Sequence, residues 1–435
     1  MTMRRRIFLK SLASTVALTS LAAKKKPSKP LVFDRNLISV LLGPSFDGQS
    51  EFSIVHGQSE PLRYLIYEDE QLLQEISYSA VTYPDSDFKI DKFLVHNLPI
   101  DRDLKIKILL GQKQIDERTF SCISSKRTNY SVGLASCMRA AQHEKAMWTS
   151  LEAQNADVML FLGDCVYIDY KLDTLPTPQI HWEQYVETRM VLDFYQWKRL
   201  VPTIAIWDDH DFGGNDSDMT YPYCKEVLAN FKNFFAQSLS ENSFLTPGPG
   251  ISTKFQLGNQ MFLMLDGRSF REKAYPKKIY SFFGKEQEEW IFDSIKDFDG
   301  LIWMCNGTQW FMEQGYGESF RKQHPINFNS FIEKLNAADK HVIFASGDVH
   351  YSEVCVTPKF VKNKSVELTS SCMHSSNFIA LPTIAYSSNR VGSTWLRNYM
   401  ICKISETASS VSVETECYTK GKRRLFTNKT DFNLG

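Results

Sequence analysis

At 435 residues the chain exceeds one ordinary domain, so two domains are expected. Hydrophobic residues at 43% and charged residues at 23% fit a folded protein with a large core and exclude an extended disordered one. Lys plus Arg equals Asp plus Glu, 50 each, which leaves no electrostatic footprint for nucleic acid.

The first residues read as an address. "MRRRIFLKSLASTVALTSLAAKKKP" has a basic start, an apolar run from Ser11 to Ala23, and small residues at its end. That run is too short to span a bilayer comfortably. Arg5 and Arg6 followed by an apolar stretch are similar to a twin-arginine export signal, with Arg4 where Ser or Thr is usual. Residues 1–26 are therefore expected to be a signal peptide that engages the Tat export machinery, which delivers the mature chain to the periplasm or the exterior. An uncleaved basic membrane anchor is the alternative. "KKKPSKP" (24–30) is a linker. Nine cysteines, without a C-x-x-C pair, leave at least one outside any intramolecular disulfide.

From 31 to 125 short runs such as "EFSIVHG", "LRYLIYED" and "LKIKILLG" are separated by turn residues. They lack helical period and predict an all-β sandwich domain. His56 and His96 stand alone there and read as surface or packing histidines. The pattern changes near Lys126. "YSVGLASC", "DVMLFLGDCVY", "PTIAIWDDHDF", "GLIWMCNGTQW" and "KHVIFASGDVH" are buried strands running into loops. "EKAMWTSLEAQNA", "WEQYVETRMVLDFYQWKRLV", "YCKEVLANFKNFFAQSL", "KEQEEWIFDSIKDF" and "FNSFIEKLNAA" are helical. Alternating strands and helices predict an α/β domain over 126–435 with helices outside a buried sheet, closed by a hairpin in the tail.

Polar residues collect just past the carboxyl ends of these strands, where open α/β sheets bind ligands. Cys137 ends one, Asp164 and Tyr167 another, Asp209 and His210 a third, Asp348 and His350 a fourth. Each motif alone is weak: Gly-Asp is often a turn, and a lone Cys is often core. Four such ends in one domain would set carboxylates against one another in a cleft, which a multivalent cation relieves. Arg268 and Arg271 in "LDGRSFR" suit a phosphate, or else an ion pair with Asp266 or another carboxylate. His143 reads as a helix cap, His374 as a residue to locate in the fold, and Trp182, Trp197, Trp290 and Trp303 as core.

The series "ASC", "GDCVY", "WDDHDFGGN", "LDGRSFR" and "SGDVH", in that order, resembles the alkaline phosphatase D family of calcineurin-like metallophosphatases over nearly the whole mature chain. That resemblance implies a two-sheet core with helices outside and a two-metal centre at the strand ends. It implies Cys137, Tyr167 and His350 on the first metal and Asp164 as the bridge. Asp209, Asn215 and Asp348 are the implied ligands of the second. His210 is implied beside the leaving group, with Arg268 and Arg271 as an arginine pair. Met138 and Arg139 stand where many relatives have Gln or another polar pair, which places an arginine within reach of substrate. The implied chemistry is hydrolysis of small phosphate esters by a metal-bound water, without a covalent nucleophile. Ligand softness favours Fe3+ in the first site and Ca2+ in the second, with Zn2+, Mg2+ or Mn2+ as alternatives. Competing readings are a zinc hydrolase of another ester class and a non-catalytic calcium-binding exported protein. Cys137 and His350 argue against the latter.

Overall fold

The computed structural model describes residues 36–237, 243–273, 280–313, 317–356, 360–377 and 387–434; the stretch 1–26 expected to be a signal peptide, with Arg5 and Arg6, lies outside them. Two four-stranded antiparallel sheets come first. Ser39–Phe46, Gln49–His56, Lys89–Val95 and Ser79–Thr82 form one. Gln71–Ile76, Leu62–Glu68, Asp103–Leu110 and Lys113–Ser121 form the other. Alternation decides which side chains go inside. In "DLKIKILL" Leu104, Ile106 and Ile108 are buried and the intervening lysines are not. These three join Val40, Phe52 and Ile54 of the first sheet in one apolar cluster. His56 is fully buried there, paired with Asp91 at 2.9 Å, and Tyr64 donates to the same carboxylate.

Two larger mixed sheets follow. In the six-stranded one Thr203–Ile206, Val158–Leu162 and Asn129–Ala135 run parallel. The order continues antiparallel through Tyr399–Glu406, Ser410–Thr419 and Arg423–Asn433. The tail is thus three strands where a hairpin is expected. In the eight-stranded sheet Gln260–Met264, Leu301–Cys305, Val342–Ser346 and Ser365–Thr369 are parallel neighbours. Ser352–Val356 and Arg390–Thr394 extend it antiparallel. The parallel strands "VMLFL", "LIWMC" and "VIFAS" are buried along their whole length, so they read as continuous apolar runs.

Helices are few and short, the longest of 14 residues among those described. Pro178–Val191 starts on Thr177, whose hydroxyl accepts from Ile180 N, with Pro178 in the first turn. It stops at Val191, well short of the helical pattern that runs to Val201, because Leu192 turns extended. Its Arg189 is buried and seals the helix to the first sheet. The guanidinium donates to Ser39 Oγ at 2.8 Å, Ser53 O at 2.7 Å and Phe234 O at 2.5 Å. Trp182, Trp197 and Trp303 are core; Trp290 is only partly buried against it. Residues 34–435 make one compact unit, and none of the nine cysteines is in a disulfide.

Two glycines explain how the strand ends come together, Gly163 within the six-stranded sheet and Gly347 between the two large sheets. Gly163 has φ +81°, and a Cβ there would lie 2.7 Å from Asp208 Cβ. A Cβ on Gly347 would lie 2.4 Å from Leu162 O and 2.7 Å from Ser136 Cβ. Each glycine precedes an aspartate, so the two Gly-Asp pairs deliver Asp164 and Asp348 where backbone touches backbone.

Candidate active site

Cys137, Asp164, Asp348 and His350 all sit at strand ends with left-handed backbone, φ between 52° and 66°. Such a conformation is uncommon outside glycine, and four cases at one cleft mark stored strain of the kind found at functional sites. Cys137 Sγ lies 3.6 Å from Asp164 Oδ2 and 3.1 Å from Ser371 Oγ. Tyr167 donates its hydroxyl to Asp164 Oδ2 at 3.1 Å and lies 3.3 Å from His350 Nε2. Ligand atoms of Cys137, Asp164 and His350 fall within 4.8 Å of one another, and those of Asp164, Asp209 and His210 do the same. Asp164 belongs to both groups.

The third strand end is a turn of helix, Asp209–Phe212, where the sequence pattern suggests a loop. Asp208 caps it and Asp211 reaches back to the Asp208 N–H at 3.0 Å, a reciprocal box. Two of the three aspartates in "WDDHD" are thereby structural. The middle one, Asp209, accepts from His210 N at 2.8 Å and from Asp216 N at 2.7 Å. His210 Nδ1 lies 2.7 Å from Asp169 Oδ1, and its ring packs 4.2 Å from that of Tyr167. Asn215 is exposed; its amide donates to Asp216 and its N–H to Asp169.

Burial drives the carboxyl of Asp164 far above its ordinary range, with Asp209, Asp208 and Asp211 adding to it and His210 opposing. Asp348 is pushed up likewise by burial and then by Asp208 and Glu318. Burial also raises Cys137 and Tyr167, each reinforced by the charge of Asp164. Burial and the nearby His210 and Arg139 push the imidazole of His350 down to about 4, so it is a neutral nitrogen donor. Burial opposes protonation of His210, yet Asp209, Asp164 and Asp169 outweigh it and push that ring up to about 10. Asp164 Oδ1 and Asp348 Oδ2 are buried without a hydrogen-bond partner among the described residues. Orphaned oxygens beside a thiol and a neutral imidazole form a donor set that suits cations, and these residues fit a metal centre.

Arg268 and Arg271 do line the cleft, but carboxylates already hold them. Arg268 binds Asp208 Oδ1 at 2.5 Å and Glu318 Oε2 at 3.0 Å, and lies 3.9 Å from Asp209. Arg271 binds the same Glu318 oxygen at 3.2 Å and stacks on Phe282. The ion pair is made with Asp208 and Glu318; Asp266 instead accepts from the Arg268 N–H. Burial disfavours ionising Glu318, but Arg268 and Arg271 hold its carboxylate well below the usual range. Glu318, Asp169, Ser371 and Ser375, whose hydroxyl lies 3.0 Å from His350 Nε2, are site residues that the sequence pattern does not reveal. Each sits in a loop without a motif, far along the chain from its partner. His143 pairs with Asp193 at 2.8 Å, and His374 is buried between Trp148 Nε1 and Arg139 O. A further group, Glu353, Cys355 and Glu367, lies buried in the eight-stranded sheet, where Glu353 holds Arg390.

The cleft has a volume of about 810 Å3 and a charged lining that includes Asp164, Asp209, His210, Asp348 and His350. The sequence model of PhoD-like phosphatases matches residues 132–398, and the chain belongs to that family. The family supports phosphatase chemistry on small phosphate esters. Within it, the solved structure of PhoD superposes with a TM-score of 0.69 at 13% identity, over 90% of this chain and 92% of that one; the likeness shows a shared fold. Far weaker are a conserved Streptococcus pneumoniae TIGR4 protein described as a predicted phosphoesterase and Vps29 of Chaetomium thermophilum. The first has a TM-score of 0.26 at 10% identity, over 71% of this chain and 99% of that one. The second has 0.26 at 9%, over 70% and 100%. No curated protein matches the chain.

Proposed function

We propose that the chain is an exported, metal-dependent phosphoesterase acting on monoesters or diesters. The observation that carries this reading is the position of Asp164, which lies within ligand distance of Cys137 and His350 on one side and of Asp209 on the other, with Tyr167 and His210 beside them. Cys137, Asp164, Tyr167 and His350 would hold the first metal, and Asp164, Asp209 and Asp348 the second, with Asn215 at the rim. The ions, when bound, supply Lewis-acid activation of water and offset charge on the phosphoryl oxygens. Thiolate and phenolate favour Fe3+ in the first position, and an oxygen set favours Ca2+ in the second. Asp169 fixes His210 through Nδ1, which leaves Nε2 to hand a proton to the departing alkoxide. We read residues 31–125 as a β-sandwich domain and 126–435 as the catalytic domain; the cluster shared by the two small sheets supports this, and limited proteolysis near Ser125 checks it. The test of function is hydrolysis of p-nitrophenyl phosphate and bis-p-nitrophenyl phosphate by metal-replete protein, with and without a chelator. Turnover that a chelator abolishes is expected; no turnover of either ester would overturn the reading.

A further inference from the structure

Cationic side chains line a cleft crowded with carboxylates, and their partners differ sharply. A guanidinium carries five N–H donors. Arg268 places its donors on Asp208, Ser217 O, Thr308 and Glu318. Arg271 places its own on Gly267 O, Glu318, Gln323 and Thr308. Arg139, two residues past Cys137, lines the same cleft, yet its side chain has no hydrogen-bond or ion-pair partner among the described residues. Its Nε is buried and unpartnered.

The guanidinium is nevertheless held in place. It lies over the Tyr167 ring at 4.4 Å and over the Tyr170 ring at 5.0 Å. Aromatic faces position a flat cation while leaving its in-plane donors free. The backbone beneath is fixed too: Met138 N donates to Asp164 O at 2.8 Å, and Arg139 O accepts from His374 Nδ1 at 3.0 Å. Tyr167, on which the guanidinium rests, touches both Asp164 and His350.

We propose that Arg139 is the anion-gripping residue of this cleft: it binds the non-bridging oxygens of the substrate's phosphoryl group, while Arg268 and Arg271 hold Asp208 and Glu318 in place. This rests on the phosphoesterase reading. A planar donor fork matches two phosphoryl oxygens, and partnerless donors beside the candidate ligands await an acceptor.

The test compares metal-replete wild type with Arg139→Gln and Arg139→Lys. It measures kcat and KM for p-nitrophenyl phosphate, the dissociation constant of inorganic phosphate by calorimetry, and bound metal by elemental analysis. For Arg139→Gln, KM and the phosphate constant should rise about 10- to 100-fold, as for loss of charged hydrogen bonds, with kcat changed much less. Arg139→Lys should recover part of the phosphate affinity, because it keeps the charge without the fork. Phosphate constants within about twofold of wild type in both variants would overturn the proposal. So would loss of bound metal in step with the weaker binding, which would make Arg139 a support for Tyr167. Wild-type protein that hydrolyses no ester but binds phosphate in an Arg139-dependent manner would retire the catalytic reading and leave this one standing.

Discussion

Glu367 lies midway along Ser365–Thr369, an inner strand of the eight-stranded sheet, fully buried and directly across from Cys355 in the register of the two strands. One carboxyl oxygen accepts from Trp310 N at 2.8 Å and Phe311 N at 3.3 Å, while the other has no hydrogen-bond partner among the described residues. Burial, and then the nearby Glu353 carboxylate, push its pKa from 4.5 up to about 8. The sign follows from linkage: an acid whose folded pKa is raised binds its proton more tightly when folded. Its effect is nil below the unfolded pKa of 4.5 and destabilising as pH climbs towards about 8. The rise from 4.5 to about 8 corresponds to about 5 kcal/mol, of which about 4 kcal/mol falls above about pH 5. For 435 residues the unfolding entropy near the midpoint is about 0.9 kcal/mol per kelvin, so the loss is about 4 °C in melting temperature. Glu367→Gln keeps an oxygen for the two backbone donors and cannot ionise. Melting curves of both proteins at about pH 5 and about pH 9 should show wild type falling about 4 °C further than the variant. Parallel pH dependence in the two proteins would refute the reasoning.

His210→Ala should lower turnover by about 100- to 10,000-fold while bound metal stays at its wild-type level, with alkyl esters suffering more than aryl esters. Equal loss for both leaving groups, read from kcat on matched esters, would contradict a proton-donor role. If the first metal is ferric iron, concentrated protein should be violet to brown, and Cys137→Ser and Tyr167→Phe should each shift or bleach the visible band. Colourless active protein containing only zinc would show the iron assignment to be wrong. Changing both Arg5 and Arg6 to Lys should hold precursor in the cytoplasm, read by fractionation; unchanged export of processed protein would rule out the twin-arginine route.

The strand ends were legible in the chain itself because local chemistry marks them. A short apolar run such as "VMLFL" closed by a glycine is marked as a buried strand by its length and its flank, and the Gly-Asp after it is both a turn and a delivered carboxylate. Cys137, Asp164, Tyr167, Asp209, His210, Asp348 and His350 could thus be named from sequence, and the structure lines one cleft with them or packs them beside it. What only the tertiary structure decided is which neighbouring charges neutralise which. In "WDDHD" the sequence names Asp209, but the physical reason comes from the fold: Asp208 and Asp211 are spent on a helix cap and on Arg268, which leaves the middle carboxylate for the cleft. Arg268 and Arg271 look free in "LDGRSFR" until Glu318, some fifty positions further along, closes on both. Arg139 looks unremarkable until every other arginine of the cleft is found to be occupied. Apolar periodicity is written residue by residue along each strand, whereas the fate of a charge depends on partners that only long-range packing brings within a few ångströms.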